Sequence, residues 1–363
     1  MIQERNLDAV VRQFQFSGNF AGASSLGSGH INDTWRLVFH TAGAPVNFIL
    51  QRINHDIFKN PVALMENIER VTTHLAAQLV DDPDLERRVL KLISARDGRG
   101  WHQDDEGSYW RAYRFIERAR TYDAVESPGL AFQAAKAFGK FQQLLVNLPA
   151  SRLHDTIPDF HHTPKRFLAL EQAITCDVAN RAKLVKQEIA FALARPSMTG
   201  VLLNANLPVR VTHNDTKINN VLLDDETGEG ICVIDLDTVM PGLIHYDFGD
   251  MVRTAACPAS EDERDLSEVH LQFPMFEALV RGYLSSASDF LTDSEIQHLA
   301  FCGKLITFEM GIRFLTDFLD GDRYYKVHRD RHNLDRCRTQ FKLVESIEQQ
   351  EEAMDKFVQS LAG

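Results

Sequence analysis

The sequence lacks the features that mark membrane proteins, secreted proteins and structural zinc proteins. No apolar run approaches the roughly 18 residues that a membrane-spanning helix needs, and the first residues do not combine a basic start with an apolar segment. The five cysteines are scattered, odd in number and never spaced as C-x-x-C, which argues against a disulfide framework and a structural zinc site. We therefore expect a protein of the reducing cytoplasm without a membrane partner.

The chain also lacks an excess of positive charge. With 39 Lys and Arg against 51 Asp and Glu, its formal net charge is −12, which argues against nucleic-acid binding as its main task. A hydrophobic content of 44% and a charged content of 25% are ordinary for a globular protein. A chain of 363 residues exceeds one compact domain of usual size, so we expect two lobes with separate cores.

One stretch has the spacing of a catalytic site. His213, Asp215 and Asn220 form the pattern H-x-D-x-x-x-x-N, which is typical of the catalytic loop of kinase-fold phosphotransferases. Asp235 follows at the end of a short apolar run, residues 231–234. In such enzymes one carboxylate orients the attacking hydroxyl, while an amide oxygen and a second carboxylate hold Mg²⁺. The pattern predicts Asp215 as the catalytic base, with Asn220 and Asp235 as Mg²⁺ ligands; the alternative is that Asp215 and Asn220 only cap a turn.

A glycine turn near the start of the chain is a candidate for binding the triphosphate of ATP. Gly27, Ser28 and Gly29 precede a predicted strand, and glycine allows backbone N–H groups to approach phosphate oxygens closely. Asn32 stands where a third glycine would complete G-x-G-x-x-G, and a G-x-G turn alone is also typical of a plain hairpin. His30, directly after the turn, indicates a contact with a second substrate.

The next predicted strand, residues 46–53, departs from the kinase pattern. It has Gln51 where protein kinases carry the lysine that binds the α- and β-phosphates. Arg52 is a candidate for the missing cation, although neighbouring strand residues face opposite sides. On the helix that follows, Glu66 or Glu69 could pair with that cation or could lie on a solvated face.

Two further strands are predicted at residues 89–93 and 109–116, which would give a small lobe of five antiparallel strands and a helix. Phe115 and Glu117 would begin a hinge whose backbone groups could bind the edge of adenine.

These predictions define an α+β protein with a bilobal, protein kinase-like fold. Residues 1–117 form the predicted nucleotide-binding lobe, with a small antiparallel sheet. Residues 118–363 form a larger, mainly helical lobe that binds the substrate and carries the catalytic loop. The sequence gives no indication of the oligomeric state.

Histidines in the second lobe could suggest a metal site. His154, His161 and His162 lack any ligand spacing, so we interpret them as turn and surface residues.

Asp247-Phe248-Gly249 imitates the metal motif of protein kinases. The segment before it, residues 240–244, is predicted as a loop and not as a second strand, so Asp235 suits the metal better. Asp247 is expected to brace the backbone of the catalytic loop. Asp237 is a possible second metal contact, because alternate strand residues share a face.

The chain resembles the aminoglycoside phosphotransferase (choline kinase-like) family over nearly its whole length. The similar stretches are residues 27–32, 48–54, 211–220, 234–242, 247–250 and 310–325. Within that family they are most similar to the N-acetylhexosamine 1-kinases.

The resemblance implies transfer of the ATP γ-phosphate to the anomeric hydroxyl of N-acetylglucosamine or N-acetylgalactosamine, giving the sugar 1-phosphate. It implies that Gln51 is a feature of this subgroup, that Asp215 is the base, and that ATP and Mg²⁺ are required. His30, Arg313 and Tyr324 become candidates for holding the sugar, together with Asp215.

Each sugar contact has a structural alternative. Arg313 could be the ion-pair partner of Asp317, and Tyr324 could be a packing residue. Other hydroxyl substrates stay open: choline would need an aromatic cage, homoserine a cation for its carboxylate, and an aminoglycoside an acidic pocket. A nucleotide-binding pseudokinase is a further alternative, which Gln51 suggests and the intact Asp215 argues against.

Overall fold

The protein folds into a small lobe with an antiparallel sheet and a larger, mainly helical lobe. The structure is a computed structural model that describes residues 4–26 and 31–361. It confirms the predicted α+β class and the bilobal, kinase-like arrangement. Among the described residues, no helix combines the length and the apolar character needed to cross a membrane.

The first lobe is built on a sheet in the order β1-β2-β3-β5-β4, and each neighbouring pair is antiparallel. Its elements are α1 (Glu4–Val11), β1 (Asn19–Ser25), β2 (Asp33–His40), β3 (Pro45–Ile53), α2 (Pro61–Gln78), α3 (Leu85–Arg88), β4 (His102–Gln103) and β5 (Tyr109–Arg114). Helix α2 begins at Pro61, whose missing N–H costs nothing at the first helical position, and Asn60 caps it by accepting from the N–H of Ala63.

The two faces of this sheet contact different neighbours, because side chains alternate along each strand. Phe48, Leu50 and Trp110 lie on the outer face, in a hydrophobic cluster to which α1 contributes. Gln51 and Arg111 lie on the opposite face, which turns toward α2 and the second lobe.

The fifth strand is not the one that was predicted. Residues 89–93 form only a single bridge, Leu92 to Tyr113, because helix α3 ends just before them. The short strand β4 pairs with β5 in its place. The count of five strands is thus confirmed, but the strand at residues 89–93 is wrong.

The second lobe contains most of the helices. Its elements are β6 (Ala119–Arg120), α4 (Pro128–Leu145), α5 (Thr163–Cys176), α6 (Lys186–Leu193), α7 (Val201–Asn204), β7 (Arg210–Thr212), β8 (Val221–Asp224), β9 (Gly230–Val233), β10 (Met240–Gly242), α8 (Ile244–Ala255), α9 (Phe273–Ala287), α10 (Asp293–Gln297), α11 (Leu299–Leu319) and α12 (His332–Leu361). Helix α11 packs against α5, α8 and α12, at the centre of the lobe.

Short strands in this lobe position the candidate site. β8 pairs with β9 and with β6, which directly follows the first lobe. β10 pairs with β7, so residues 240–242 form a strand and the prediction of a loop there is wrong. This pairing fixes the start of the catalytic loop against the segment that follows Asp235.

The hydrophobic interior contains two clusters, as predicted, but the boundary between them is not the boundary between the lobes. The outer face of the sheet and α1 form one cluster. The buried side of α2, including Leu64, Ile68 and Val71, instead joins the large cluster of the helical lobe. Helix α2 therefore packs into the interior of the second lobe, which ties the first lobe to the second.

Candidate active site

The predicted catalytic residues lie together at the end of β7. Asp215 Oδ1 lies 2.7 Å from Lys217 Nζ, and its side chain is 24% exposed. The side-chain amide of Asn220, in a 3₁₀ turn that leads into β8, donates to the backbone carbonyl of Asp215 at 2.7 Å and to its Oδ2 at 3.2 Å. This orientation uses the NH₂ group of Asn220 and leaves the carbonyl oxygen of its amide as the donor atom for a cation.

The charge on Asp215 is stabilised by its neighbour. Burial alone would raise the pKa of the Asp215 carboxyl, but the Lys217 ammonium outweighs it and holds the pKa below its ordinary value. The pKa of Lys217 is raised in turn, because the charges of Asp215 and Asp250 outweigh the effect of burial. Asp215 is thus an anion at neutral pH and can accept a hydrogen bond from a hydroxyl.

Two aspartates of helix α8 hold the backbone of the catalytic loop. Asp247 accepts from the N–H groups of His213 at 3.0 Å and Asn214 at 2.6 Å. Asp250, one turn later, accepts from the N–H of Thr216 at 2.9 Å. These bonds fix Asn214 in the left-handed region, with a φ of 65° that costs a non-glycine residue energy. The prediction that Asp247 braces the loop is confirmed.

The histidine of the motif joins the loop to the neighbouring strand. His213 is buried, and its Nε2 lies 2.9 Å from the carbonyl of Ile234, next to Asp235. Its Nδ1 accepts from the N–H of Asp215 at 3.3 Å, so the neutral ring carries its proton on Nε2. His213 therefore fixes the spacing between the two carboxylates of the site.

Asp235 has an environment that favours a bound cation. It has a left-handed φ of 59° and precedes a 3₁₀ turn, residues 236–238. Burial, together with the charges of Asp237 and Asp215, raises the pKa of Asp235 to about 6. A carboxylate that is hard to ionise because of neighbouring anions is stabilised when a divalent cation joins the group.

The donor set fits a magnesium ion carried by a nucleotide. Within the described part of the chain, no group of three or more His, Cys, Asp or Glu could hold a metal on its own. Mg²⁺ typically takes one or two protein oxygens and completes its shell with phosphates and water. Asn220 and Asp235 supply such a pair, which lies beside Asp215. Their role as ligands stays a prediction.

Asp237, a possible second metal contact in the sequence analysis, has partners in the first lobe. Residues 236–238 form a 3₁₀ turn, so the alternation of a strand does not apply to them. The Asp237 carboxylate is buried and forms an ion pair with Arg111 of β5. It also accepts from the side-chain amide of Asn32 at 2.5 Å. Both partners belong to the first lobe, so Asp237 connects the lobes.

The cation on the sheet is Arg111, which the sequence analysis missed. Gln51 is its direct partner in the register of β3 and β5, and Gln51 Oε1 accepts from Arg111 Nε at 2.9 Å. Arg52, the predicted candidate, lies on the other side of the strand and pairs with the exposed Asp33. The available signal was a single charged residue inside an otherwise aromatic and apolar run, Tyr109–Tyr113.

Neither glutamate of helix α2 pairs with this cation. Glu66 contacts Arg70 at 2.9 Å and His154 at 2.8 Å, at the surface of the lobe. Glu69 accepts from the N–H of Gly100 at 3.1 Å. The suggestion that one of them could replace the kinase glutamate is therefore wrong.

The predicted phosphate-binding turn stands between β1 and β2 in the sequence. Gly27, Ser28, Gly29 and His30 lie outside the described residues. β1 and β2, which flank them, do pair as antiparallel strands.

The predicted hinge is partly occupied by other contacts. The N–H of Phe115 donates to the carbonyl of Asn47 at 3.2 Å, so its own carbonyl is the group left to face a nucleotide. The Glu117 side chain accepts from the amide of Asn47 at 2.7 Å. Arg36 lies over the Phe115 ring at 4.9 Å. Binding of adenine by Phe115 and Glu117 stays a prediction.

Arg313 lies in an aromatic setting on α11 and is connected to the catalytic loop through Glu309 and His161. Its guanidinium lies 5.0 Å from the ring of Phe160 and 5.8 Å from that of Tyr325. Arg313 Nη1 lies 3.9 Å from Glu309 Oε1, one helical turn earlier in α11. Burial acts to lower the pKa of Arg313, but Tyr325 and Glu309 outweigh it and the pKa is raised.

The alternative pairing of Arg313 with Asp317 does not occur. Asp317 instead accepts from the backbone N–H groups of residues 323–325, at 2.8 to 2.9 Å. It thereby fixes the turn that carries Tyr324, whose side chain is 56% exposed and packs only edge-on against Tyr325. Tyr324 is thus a surface residue beside Arg313 and not a core packing residue.

His161 is not a surface residue, contrary to the prediction. It is buried, with Nδ1 2.8 Å from Glu309 Oε1 and Nε2 3.2 Å from the carbonyl of Asn214. His162 caps helix α5 and His154 is a half-exposed partner of Glu66, so the surface interpretation holds for these two. His161 links α11 to the residue that precedes Asp215.

Comparison with known proteins identifies the family. The pattern of the phosphotransferase enzyme family (APH) matches residues 22–279, which is well over half of the chain, and the protein belongs to this family. It is therefore a phosphotransferase by family, and the resemblance found in the sequence is confirmed at that level.

Solved structures share the fold over nearly the whole chain. An aminoglycoside phosphotransferase from Alicyclobacillus acidocaldarius subsp. acidocaldarius has 11% identity and a TM-score of 0.64, over 98% of this chain and 96% of that one. A microcompartment-associated aminopropanol kinase has 17% identity and a TM-score of 0.58, over 97% and 98%. A spectinomycin phosphotransferase in complex with ADP and spectinomycin has 14% identity and a TM-score of 0.58, over 97% and 99%. These similarities show a common fold.

Proposed function

We propose that this protein is an ATP-dependent N-acetylhexosamine 1-kinase, which transfers the γ-phosphate to the anomeric hydroxyl of N-acetylglucosamine or N-acetylgalactosamine. The observation that carries the proposal is the group of Asp215, Lys217 and Asn220 at the end of β7, with Asp235 close enough for the charge of Asp215 to raise its pKa. This set supplies one carboxylate for the acceptor and one pair of oxygens for a metal.

In the proposed reaction, positioning and charge neutralisation do most of the work. Asp215 accepts a hydrogen bond from the anomeric hydroxyl and aligns its oxygen with the γ-phosphorus. Its lowered pKa makes it a weak base, so it receives the proton late, as the new bond to phosphorus forms. Lys217, 2.7 Å from Asp215, offers positive charge to the transferred phosphoryl group. Mg²⁺ held by Asn220 and Asp235 would neutralise the charge on the phosphates.

The surroundings of Arg313 support a neutral acceptor over a cationic one. Arg166 lies close to it, and its guanidinium donates to the carbonyl of Phe160 at 3.0 Å. The nearest carboxylates already have partners, since Glu309 binds His161 and Asp317 binds backbone N–H groups. Two guanidinium groups beside satisfied carboxylates repel an ammonium group, which argues against choline, ethanolamine and aminoglycosides. They can donate to sugar hydroxyls and to an acetamido oxygen.

The same two arginines favour one other candidate. A small acceptor with a carboxylate, such as homoserine, would gain from Arg313 and Arg166 through charge-assisted hydrogen bonds. In that case the substrate clamp would be ionic, and its affinity would fall steeply with salt.

ADP release with MgATP distinguishes these candidates. We would test N-acetylglucosamine, N-acetylgalactosamine, glucose, homoserine, choline and kanamycin, and would examine the product for a free reducing end. Turnover confined to the N-acetyl sugars, with loss of the reducing end, is the expected result. Turnover on homoserine alone would replace the sugar by the second candidate, and turnover on an amine would contradict both.

Two variants test the assigned roles. Asp215→Asn should lower kcat about 10²- to 10⁴-fold while ATP still binds, because only alignment and proton acceptance are lost. Arg313→Leu should raise KM for the acceptor far more than KM for ATP. The control is Arg331→Gln, an exposed arginine of the same lobe. Unchanged turnover in Asp215→Asn would disprove the catalytic assignment.

A further inference from the structure

The buried ion pair between Arg111 and Asp237 joins the sheet of the first lobe to the turn that follows Asp235. In protein kinases a lysine of the third strand pairs with a glutamate of the following helix. Here neither member of that pair is present, since Gln51 stands in the strand and both glutamates of α2 have other partners. A buried ion pair is found a short distance away, on the same face of the same sheet.

Arg111 is held on two sides. Its guanidinium is 1% exposed, with Nε donating to Gln51 Oε1 at 2.9 Å and Nη1 paired with Asp237. Gln51 is itself oriented by its amide, which donates to Thr34 Oγ1 at 3.1 Å on β2. Gln51 thus serves to orient Arg111 and contributes no charge of its own. Such a fixed, fully buried arginine is poorly suited to move toward a phosphate.

Asp237 transmits this restraint to the candidate metal site. It lies two residues after Asp235, in the 3₁₀ turn that begins there. It also binds Asn32, whose Oδ1 accepts from the N–H of Asn54 at 2.9 Å. The turn is therefore bonded to β5 through Arg111 and to the residue before β2, Asn32, which in turn binds the residue after β3, Asn54. These contacts define where Asp235 lies. Arg111 is also near enough to counter part of the rise in the pKa of Asp235.

We propose that the Arg111–Asp237 pair replaces the lysine–glutamate pair of protein kinases, and that Arg111 is a positioning residue which holds Asp235 for Mg²⁺ and does not bind the phosphates. The inference rests on the proposed phosphotransfer function. Under this inference Arg111 is the cation of the sheet, and it acts on the metal site through the turn at residues 236–238.

The test measures nucleotide binding with and without metal, by the thermal shift that ADP produces with EDTA and with Mg²⁺. In Arg111→Gln, metal-free ADP should bind within about threefold of wild type, while the affinity for Mg²⁺ in the ADP complex should fall about 10- to 100-fold, as is common when a residue behind a metal ligand is lost. Arg111→Lys keeps the charge but loses the planar guanidinium group, so its Mg²⁺ affinity in the ADP complex should lie between those of wild type and Arg111→Gln.

Matched variants keep the test decisive. Arg111→Gln with Asp237→Asn removes both buried charges together, so it should fold even if the single variant does not, and it should show the same loss of Mg²⁺ affinity. Arg114→Gln, on the same strand but in an exposed pair with Glu86, is the control and should behave as wild type.

Two results would overturn the inference. One is unchanged Mg²⁺ affinity in the double variant. The other is weaker binding of metal-free ADP by the double variant, with normal binding restored when Gln51→Lys is added. This result would make Arg111 a phosphate ligand. Because ADP binding needs no acceptor, the wrong choice of sugar leaves the test intact. If wild type shows no Mg²⁺-dependent shift, the proposed phosphotransfer fails first.

Discussion

The buried pair of His161 and Glu309 should be essential to the stability of the helical lobe. Both ring nitrogens of His161 face oxygen acceptors, Glu309 Oε1 at 2.8 Å and the Asn214 carbonyl at 3.2 Å. The two ring nitrogens thus contact oxygens on two different parts of the lobe, and the carboxylate that Nδ1 contacts is itself fully buried. Burial acts to raise the pKa of Glu309, but His161 outweighs it and the pKa is lowered.

The cost of breaking the pair follows from this geometry. His161→Leu leaves the Glu309 carboxylate with the Thr163 hydroxyl and a guanidinium at 3.9 Å, and should cost about 3 to 5 kcal/mol of unfolding free energy. Glu309→Leu should cost about 2 kcal/mol, because the buried ring loses its hydrogen bond to the carboxylate. The double variant leaves no unpaired carboxylate and should cost about 3 kcal/mol, which gives a coupling of about 2 to 4 kcal/mol.

Urea unfolding can measure these costs lobe by lobe. The three tryptophans, at positions 35, 101 and 110, all lie in the first lobe, so their fluorescence reports on that lobe. Far-UV circular dichroism reports mainly on the helical lobe, where both partners lie. We expect the dichroism transition to shift in each single variant, with exposed His270→Gln as an unaffected control. Costs that add within about 0.5 kcal/mol would refute the ion pair.

Two other predictions concern the candidate catalytic loop and metal site. Because the pKa of Asp235 is raised to about 6, Mg²⁺ must displace a proton below that pH, and its apparent dissociation constant in the ADP complex should rise about tenfold per pH unit below pH 6 and level off above it. Without metal, the same raised pKa means that the Asp235 carboxyl stabilises the folded state at low pH and loses that contribution as the pH rises through 6. A flat Mg²⁺ affinity between pH 5 and 7 would contradict the raised pKa and therefore both predictions. Asp247→Asn puts an NH₂ group against the N–H groups of His213 or Asn214, so it should cost about 3 kcal/mol in urea unfolding and lower kcat at least about tenfold, whereas exposed Asp330→Asn should change neither.

Lys217 shows how a residue can be present in a recognised motif and still be overlooked. It lies inside the H-x-D-x-x-x-x-N stretch, two positions after Asp215, yet the spacing pattern assigns it no role. Only the 2.7 Å contact with Asp215 shows that its charge sets the ionisation of the candidate base. A spacing pattern identifies only the residues that define it. It does not identify a neighbour such as Lys217, which changes the pKa of one of those residues.

The sequence by itself determined the features that depend on neighbouring residues. The catalytic loop spans eight positions from His213 to Asn220, so its side chains come together through local turns and strand β8. The strand predicted at residues 46–53 is equally local, and β3 (Pro45–Ile53) confirms it. The bracing role of Asp247 also followed, because helix α8 begins close to the loop.

Only the tertiary structure decided the contacts between residues far apart in the chain. Arg111 and Asp237 are 126 positions apart, and His161 and Glu309 are 148 apart. Alternation along a strand gives the face that a residue occupies, but it cannot give the partner that another lobe brings to that face. The sequence therefore shows that a lysine is missing at Gln51, whereas only the fold shows that Arg111 lies beside Gln51. The packing of α2 against the second lobe and of α5 against α11 makes the two pairs possible, because a buried charge is stable only beside a partner.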